Sequence, residues 1–161
     1  MLVLEGEPGE WLPADGAFEV LPQRPGELDI SLAGAFEDSG AAPALLVGMD
    51  TPQVTTSLLG TCMERLASDR EDAVIGGAPD GGYWAIGLRF SDPRVFAGVP
   101  MSAADTGARQ RERLRELGLT CAELPELRDI DTIASLRAVA AEAPGTRCAA
   151  ELARLDAEAG R

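Results

Sequence analysis

This chain has no histidine and no lysine. Without histidine it cannot build a Ser-His-Asp or Cys-His nucleophile, nor an imidazole-ligated zinc or iron centre. Without lysine it cannot form a Schiff base. All 14 basic residues are arginine, set against 27 acidic ones, and the formal net charge at pH 7 is -13. That balance argues against nucleic acid as a partner, because phosphate backbones select a basic face. Cysteine is scarce too. Cys62, Cys121 and Cys148 are far apart and form no Cys-x-x-Cys pair, which predicts reduced, buried thiols in a cytoplasmic protein. No apolar run approaches transmembrane length. Leu2-Val3-Leu4 is followed too soon by Glu5 and Glu7 to be a signal peptide, so no membrane partner is expected. Acid–base and metal work therefore falls to carboxylates, which favour hard cations such as Mg2+ or Mn2+.

At 161 residues and 45% hydrophobic, the chain is long enough for a sizeable core, and residues 1–161 read as one domain. Short apolar runs alternate with helical patterns. Strands are expected at Met1–Leu4, Phe18–Leu21, Ala44–Gly48, Asp72–Gly76, a segment ending at Leu88, and Leu119–Leu124. Ala44–Gly48 and Asp72–Gly76 have the continuous apolar character of strands buried on both faces. Helices are expected at Leu28–Phe36, Gln53–Ala67, from Ser102 to Leu117, Ile133–Ala141 and Arg147–Ala157. Ser102 and Asp105 read as a capping box. Glu5–Gly16 reads as a loop. The alternation predicts an α/β fold around a mostly parallel sheet, in three layers. Arg109, Arg111, Arg113 and Arg115 alternate with Gln110, Glu112 and Glu116, which reads as a solvated face with internal ion pairs.

The chemistry concentrates in loops that follow strands. In open α/β sheets, ligands bind beyond the carboxyl ends of the strands. Asp50 follows the Ala44 strand, Asp80 the Asp72 strand, and Asp129 and Asp131 the Leu119 strand. Each acid has a structural alternative. Asp50 could cap a helix ahead of Pro52, and Asp131 could cap the Ile133 helix. Gathered on one rim, they suit a divalent cation held by Asp50 and Asp131 that would bridge a nucleotide's phosphates. Asp80 sits in Pro79-Asp80-Gly81-Gly82-Tyr83-Trp84. That stretch is strong turn chemistry. It also offers a carboxylate and open backbone at Gly81 and Gly82 to a sugar or acceptor, with Tyr83 and Trp84 either stacking on it or packing in the core.

Several motifs in order resemble a known family. They are Gln23-Arg24-Pro25-Gly26-Glu27-Leu28, Leu46-Val47-Gly48-Met49-Asp50-Thr51-Pro52, Gly77-Ala78-Pro79-Asp80-Gly81-Gly82-Tyr83-Trp84-Ala85-Ile86-Gly87-Leu88, Phe96-Ala97-Gly98-Val99-Pro100-Met101-Ser102 and Leu124-Pro125-Glu126-Leu127-Arg128-Asp129-Ile130-Asp131-Thr132. The chain resembles the bacterial glycosyltransferase-like family allied to molybdenum-cofactor guanylyltransferases, within the nucleotide-diphospho-sugar transferases of type A glycosyltransferase fold. The resemblance implies that Asp50 and Asp131 are metal and catalytic carboxylates with Asp129 in support. Asp80 is also expected to act in catalysis, and Gly81, Gly82, Tyr83, Trp84 and Ser102 to face substrate. The resemblance further implies Mg2+ or Mn2+ as cofactor, a nucleotide or nucleotide-sugar and an unnamed acceptor as partners, and nucleotidyl or glycosyl transfer as the reaction. Two departures stand out. Asp29-Ile30-Ser31 replaces the family's Gly-x-Arg. Nothing matches the family's first strand and glycine-rich, basic nucleotide loop, so the fold is expected to be N-terminally incomplete. The alternative is a non-catalytic binding or assembly module. An incomplete sheet would leave an edge able to pair in a homodimer.

Overall fold

A computed structural model describes residues 1–10, 12, 16–40 and 42–160. The loop expected over Glu5–Gly16 therefore lies partly outside the described residues. β1 (Leu2–Leu4) and β2 (Val20–Pro22) pair in parallel, with Leu2 opposite Val20. A second sheet contains β3 (Ala44–Val47), β4 (Ala73–Gly77), β5 (Tyr83–Leu88) and β6 (Cys121–Leu124), in the spatial order β3-β5-β4-β6. β6 runs parallel to β4, whereas β5 is antiparallel to both its neighbours. β3, β4 and β6 thus point one way and end at one edge. The reversal of β5 has a simple cause. Only Ala78–Gly82 separates it from β4, and a parallel return needs a crossover of a dozen residues or more.

The helices are α1 (Leu28–Asp38), α2 (Thr56–Ala67), α3 (Thr106–Glu116), α4 (Ile133–Glu142) and α5 (Arg147–Ala159), with one 3-10 turn at Pro93–Val95. Among the described residues no helix is long and apolar enough to cross a membrane. α2 packs Cys62 and Leu66 against Val74, Trp84, Ala85 and Leu124. The opposite face of the sheet packs Ala73, Ile86 and Leu88 against Phe36, Val95, Phe96 and Leu114. Phe36 and Phe96 stack with centroids 5.4 Å apart. Each such side chain contributes about 1.5–3 kcal/mol on burial.

One irregularity matters for the site. Strand pairing steps from Gly76↔Ala85 to Gly77↔Tyr83, which leaves Trp84 as the extra residue of a β-bulge. A bulge re-aims its side chains, and Trp84 joins Ala85 on the α2 side instead of alternating away from it. Its indole lies where a side chain at residue 76 would sit. A Cβ on Gly76 would come 2.2 Å from Trp84 Nε1.

Several local expectations need correction. β3 is not buried on both faces. It is an edge strand of partly exposed residues, because among the described residues only β5 pairs with it. α2 starts at Thr56 and not at Gln53, since the Thr55 hydroxyl accepts from Leu58 N and sets the cap there. The Ser102–Asp105 capping box does not form. Ser102 has φ 56°, and α3 starts at Thr106, whose hydroxyl donates to Pro100 O and accepts from Ala103 N. Of the three thiols only Cys62 is buried; Cys121 and Cys148 are half-buried. Burial pushes the Cys121 thiol up to about 11, so it is not a ready nucleophile at neutral pH. The arginine ladder is solvated only in part: Gln110 is fully buried and donates to Val95 O, and Arg111 pairs outside the helix. Arg109 pairs with Asp105 and Glu112, Arg113 with Glu116, and Arg111 with Glu123 on β6.

Candidate active site

The site grows from the common carboxyl edge of β3, β4 and β6. The segment after β6 is fastened there at successive points. Trp84 Nε1 donates to Pro125 O at 2.9 Å. Leu127 N donates to Gly77 O at 3.1 Å. Gln53 Nε2 donates to Arg128 O, and Ile130 N donates to Asp50 O at 3.1 Å. The loop carrying Asp129 and Asp131 is thereby sewn to the loop carrying Asp50. One oxygen from each of Asp50, Asp129 and Asp131 lies within 4.8 Å of the others.

The structural alternatives for these acids fall away. The cap of α2 is Thr55, not Asp50. The cap of α4 is Thr132, which forms a capping box with Ser135. Asp131 contributes only its N–H, donated to Ser135 Oγ at 3.1 Å. Among the described residues no ion pair involves Asp50, Asp80, Asp129 or Asp131. Burial, and then the negative charges of Asp80, Asp131 and Asp50, raise the Asp129 carboxyl above the ordinary aspartate range, although a hydrogen bond from its own backbone opposes this. Asp80 therefore belongs to the same electrostatic neighbourhood. Its carboxylate also accepts from Gly82 N at 2.8 Å, which closes the turn.

These residues fit a hard divalent cation. The donors are carboxylate oxygens only, the set Mg2+ and Mn2+ select. An octahedral ion with bonds near 2.1 Å keeps opposite ligands at most about 4.2 Å apart, so the trio needs little closure to share one. Like charges gathered without a counter-charge are unfavourable, and a cation removes that cost. In the turn that follows Asp50, Gln53 Oε1 is inaccessible to solvent and has no hydrogen-bond partner among the described residues.

The substrate-side residues divide. Trp84 is 2% exposed, so it cannot stack on a sugar. It is a strut that holds Pro125, and the expectation of ligand stacking is corrected by its burial. Tyr83 is half-buried, and its hydroxyl donates to Gln110 Oε1 at 3.4 Å. Gly81, at φ +95°, has Ala104 O 1.9 Å from where its Cβ would stand. Gly107 N donates to Gly81 O at 2.8 Å. Glycine at 81 is thus required by the start of α3, independently of any ligand. Gly82 supplies the N–H that Asp80 accepts. Ser102 is not gathered with the aspartates. It lines a shallow pocket of about 450 Å3 with Glu27, Leu28, Asp29 and Met101. Sequence reasoning missed two residues. Met49, next to Asp50, is 98% exposed, and the helix expected from Gln53 does not reach it.

The comparisons agree with this architecture. The fold is α/β, and it matches the crystal structure described as that of a "putative nucleotide-diphospho-sugar transferase" from Desulfovibrio desulfuricans G20, with TM-score 0.77 and 28% identity. The match covers 86% of this chain and 63% of that one, so the chain spans less than two thirds of that relative. Residues 2–103 match the family described as "Uncharacterized protein conserved in bacteria (DUF2064)", and the chain belongs to that family. No curated protein matches it.

Proposed function

We propose that this chain acts as a metal-dependent transferase on a nucleotide-activated substrate, a nucleotide-sugar or a nucleoside triphosphate, with Mg2+ or Mn2+ held by Asp50, Asp129 and Asp131. The observation that carries the reading is the convergence of those three carboxylates, from two separate post-strand loops, on one point. The described relative, whose own name is "putative nucleotide-diphospho-sugar transferase", supports the substrate class.

A bound divalent cation would supply positive charge to the donor's phosphate oxygens. The protein's share is placement. Asp50 and Asp129 are fixed by the backbone bond from Ile130 to Asp50 and by the Gln53 amide. Asp80 stands on the neighbouring turn as an acceptor for substrate hydroxyls. In glycosyl transfer, an acceptor oxygen bonds to the anomeric carbon as the bond to the nucleoside diphosphate breaks. In nucleotidyl transfer, a sugar-phosphate oxygen bonds to the α-phosphorus as pyrophosphate leaves. In glycosyl transfer a hydroxyl acceptor's proton would pass to a carboxylate, since the chain has no histidine or lysine.

The test is a thermal-shift panel of nucleotides and nucleotide-sugars with Mg2+ or Mn2+. At least one combination is expected to raise Tm, and Asp50→Ala is expected to erase the rise. Absence of a shift with every combination would overturn the transferase reading. A shift without turnover toward any acceptor would favour the binding module.

A further inference from the structure

We propose that Gln53 is a positioning residue of the aspartate site. It sets the separation of Asp50 and Asp129 through its bond to Arg128 O. This rests on the reading of the cluster as a cation site.

Two bonds bracket Asp129. Gln53 Nε2 donates to Arg128 O on one side, and Ile130 N donates to Asp50 O on the other. Both partners come from the Asp50–Val54 turn, which Val54 N closes onto Thr51 O at 3.1 Å. The Asp129 backbone is therefore pinned, before and after, to the loop that carries Asp50. The Ile130 bond is main chain to main chain and any sequence could make it. The Arg128 bond needs a side-chain donor of glutamine's length at position 53.

The other end of the same amide is buried. Arg128 O can only accept, so the atom facing it must be the NH2 group, and the assignment of the amide is fixed. Oε1 is then left without access to solvent and without a partner. Buried carbonyl oxygens in native proteins rarely stay unpaired, and an ordered water or ion is one recognised explanation. Gln53 lies in the turn that begins with Asp50, and its amide abuts the residue before Asp129. Through Nε2 the amide would brace the loop that carries Asp129, the duty typical of groups just outside a metal's ligands.

The experiment compares wild type with Gln53→Met, which keeps side-chain length and loses both polar ends. Calorimetry would measure Mn2+ affinity, and Tb3+ luminescence lifetimes in H2O and D2O would count the waters left on a bound ion. Met removes one bond but also the unpaired oxygen, so the cation-free Tm should change little. Mn2+ binding should weaken roughly tenfold to a hundredfold, and the bound Tb3+ should carry more water. A purely structural glutamine would not alter that hydration. If Gln53→Met does not fold, Gln53→Asn carries the test, because it keeps both groups on a stem too short to span them. Wild-type affinity and hydration in the folded variant would overturn this proposal alone. Failure of the wild type to bind Mn2+ or Tb3+ would overturn the cation site and this proposal together.

Discussion

Asp129→Asn is expected to make the cation-free protein more stable at pH 7 and to abolish its response to Mn2+. The Asp129 carboxyl is raised by burial and by the neighbouring charges of Asp80, Asp131 and Asp50. For an acid whose folded pKa exceeds its unfolded one, the favourable contribution is present at low pH. It is lost as pH rises through the folded value. At neutral pH the ionised Asp129 therefore costs stability, and the neutral amide removes that cost. The gain should be modest, below about 1 kcal/mol, because the site is open to water. The cation arm is larger. An ion at a hundred times its Kd stabilises the native state by about 2.7 kcal/mol, and the variant should lose nearly all of it. Urea denaturation with EDTA and with Mn2+, at a pH just below the ordinary aspartate range and at pH 7, reads both arms. In wild type the stability contributed by this carboxyl should fall across that interval without cation and rise with it. A variant less stable without cation and still responsive to Mn2+ would show that Asp129 is no part of a cation site.

Gly81→Ala should be the most damaging single-methyl change at the site, costing more than about 3 kcal/mol. Two costs combine. The residue sits at φ +95°, and its Cβ would stand 1.9 Å from Ala104 O and 2.7 Å from Ala104 C, which are backbone atoms that cannot rotate aside. Gly98→Ala is the matched control. Its φ is +73° but nothing lies within 4 Å of its Cβ position, so it should lose only the left-handed cost of about 1–2 kcal/mol. If the two variants have equal stability by urea denaturation, the packing of the Asp80 turn against α3 is not as described. If Gly81→Ala folds at low temperature, it should also weaken nucleotide-dependent stabilisation, because the displaced turn carries Asp80 with it.

The post-strand positions of the acids were legible because strand direction follows from simple rules. Ala73–Gly77 is a short apolar run and was found almost to the residue. The acids after β3, β4 and β6 then had to lie at one edge. The reversal of β5 could have been inferred from the brevity of the Ala78–Gly82 connection. Other features depend on context that no local pattern carries. β3 reads as a buried strand because Ala44-Leu45-Leu46-Val47 is wholly apolar, yet its exposure is set by what pairs with it. Trp84 beside two glycines looks like a ligand platform, and only the bulge at Gly77 reveals that it turns inward beneath Gly76. Gln53 was hidden by a helical pattern running straight through it. The Thr55 cap stops α2 short and frees residue 53 to reach Arg128.

The most direct measurement is calorimetric titration of Mn2+ into this chain at pH 7, run beside Asp50→Asn. Asp50 and Asp129 come from loops far apart in sequence, and their joint need for one ion is what the convergence of their oxygens predicts. The expected result is one saturable ion per wild-type chain, with binding lost in the variant. No binding by wild type, or the same binding by Asp50→Asn, would contradict a cation site at these three aspartates.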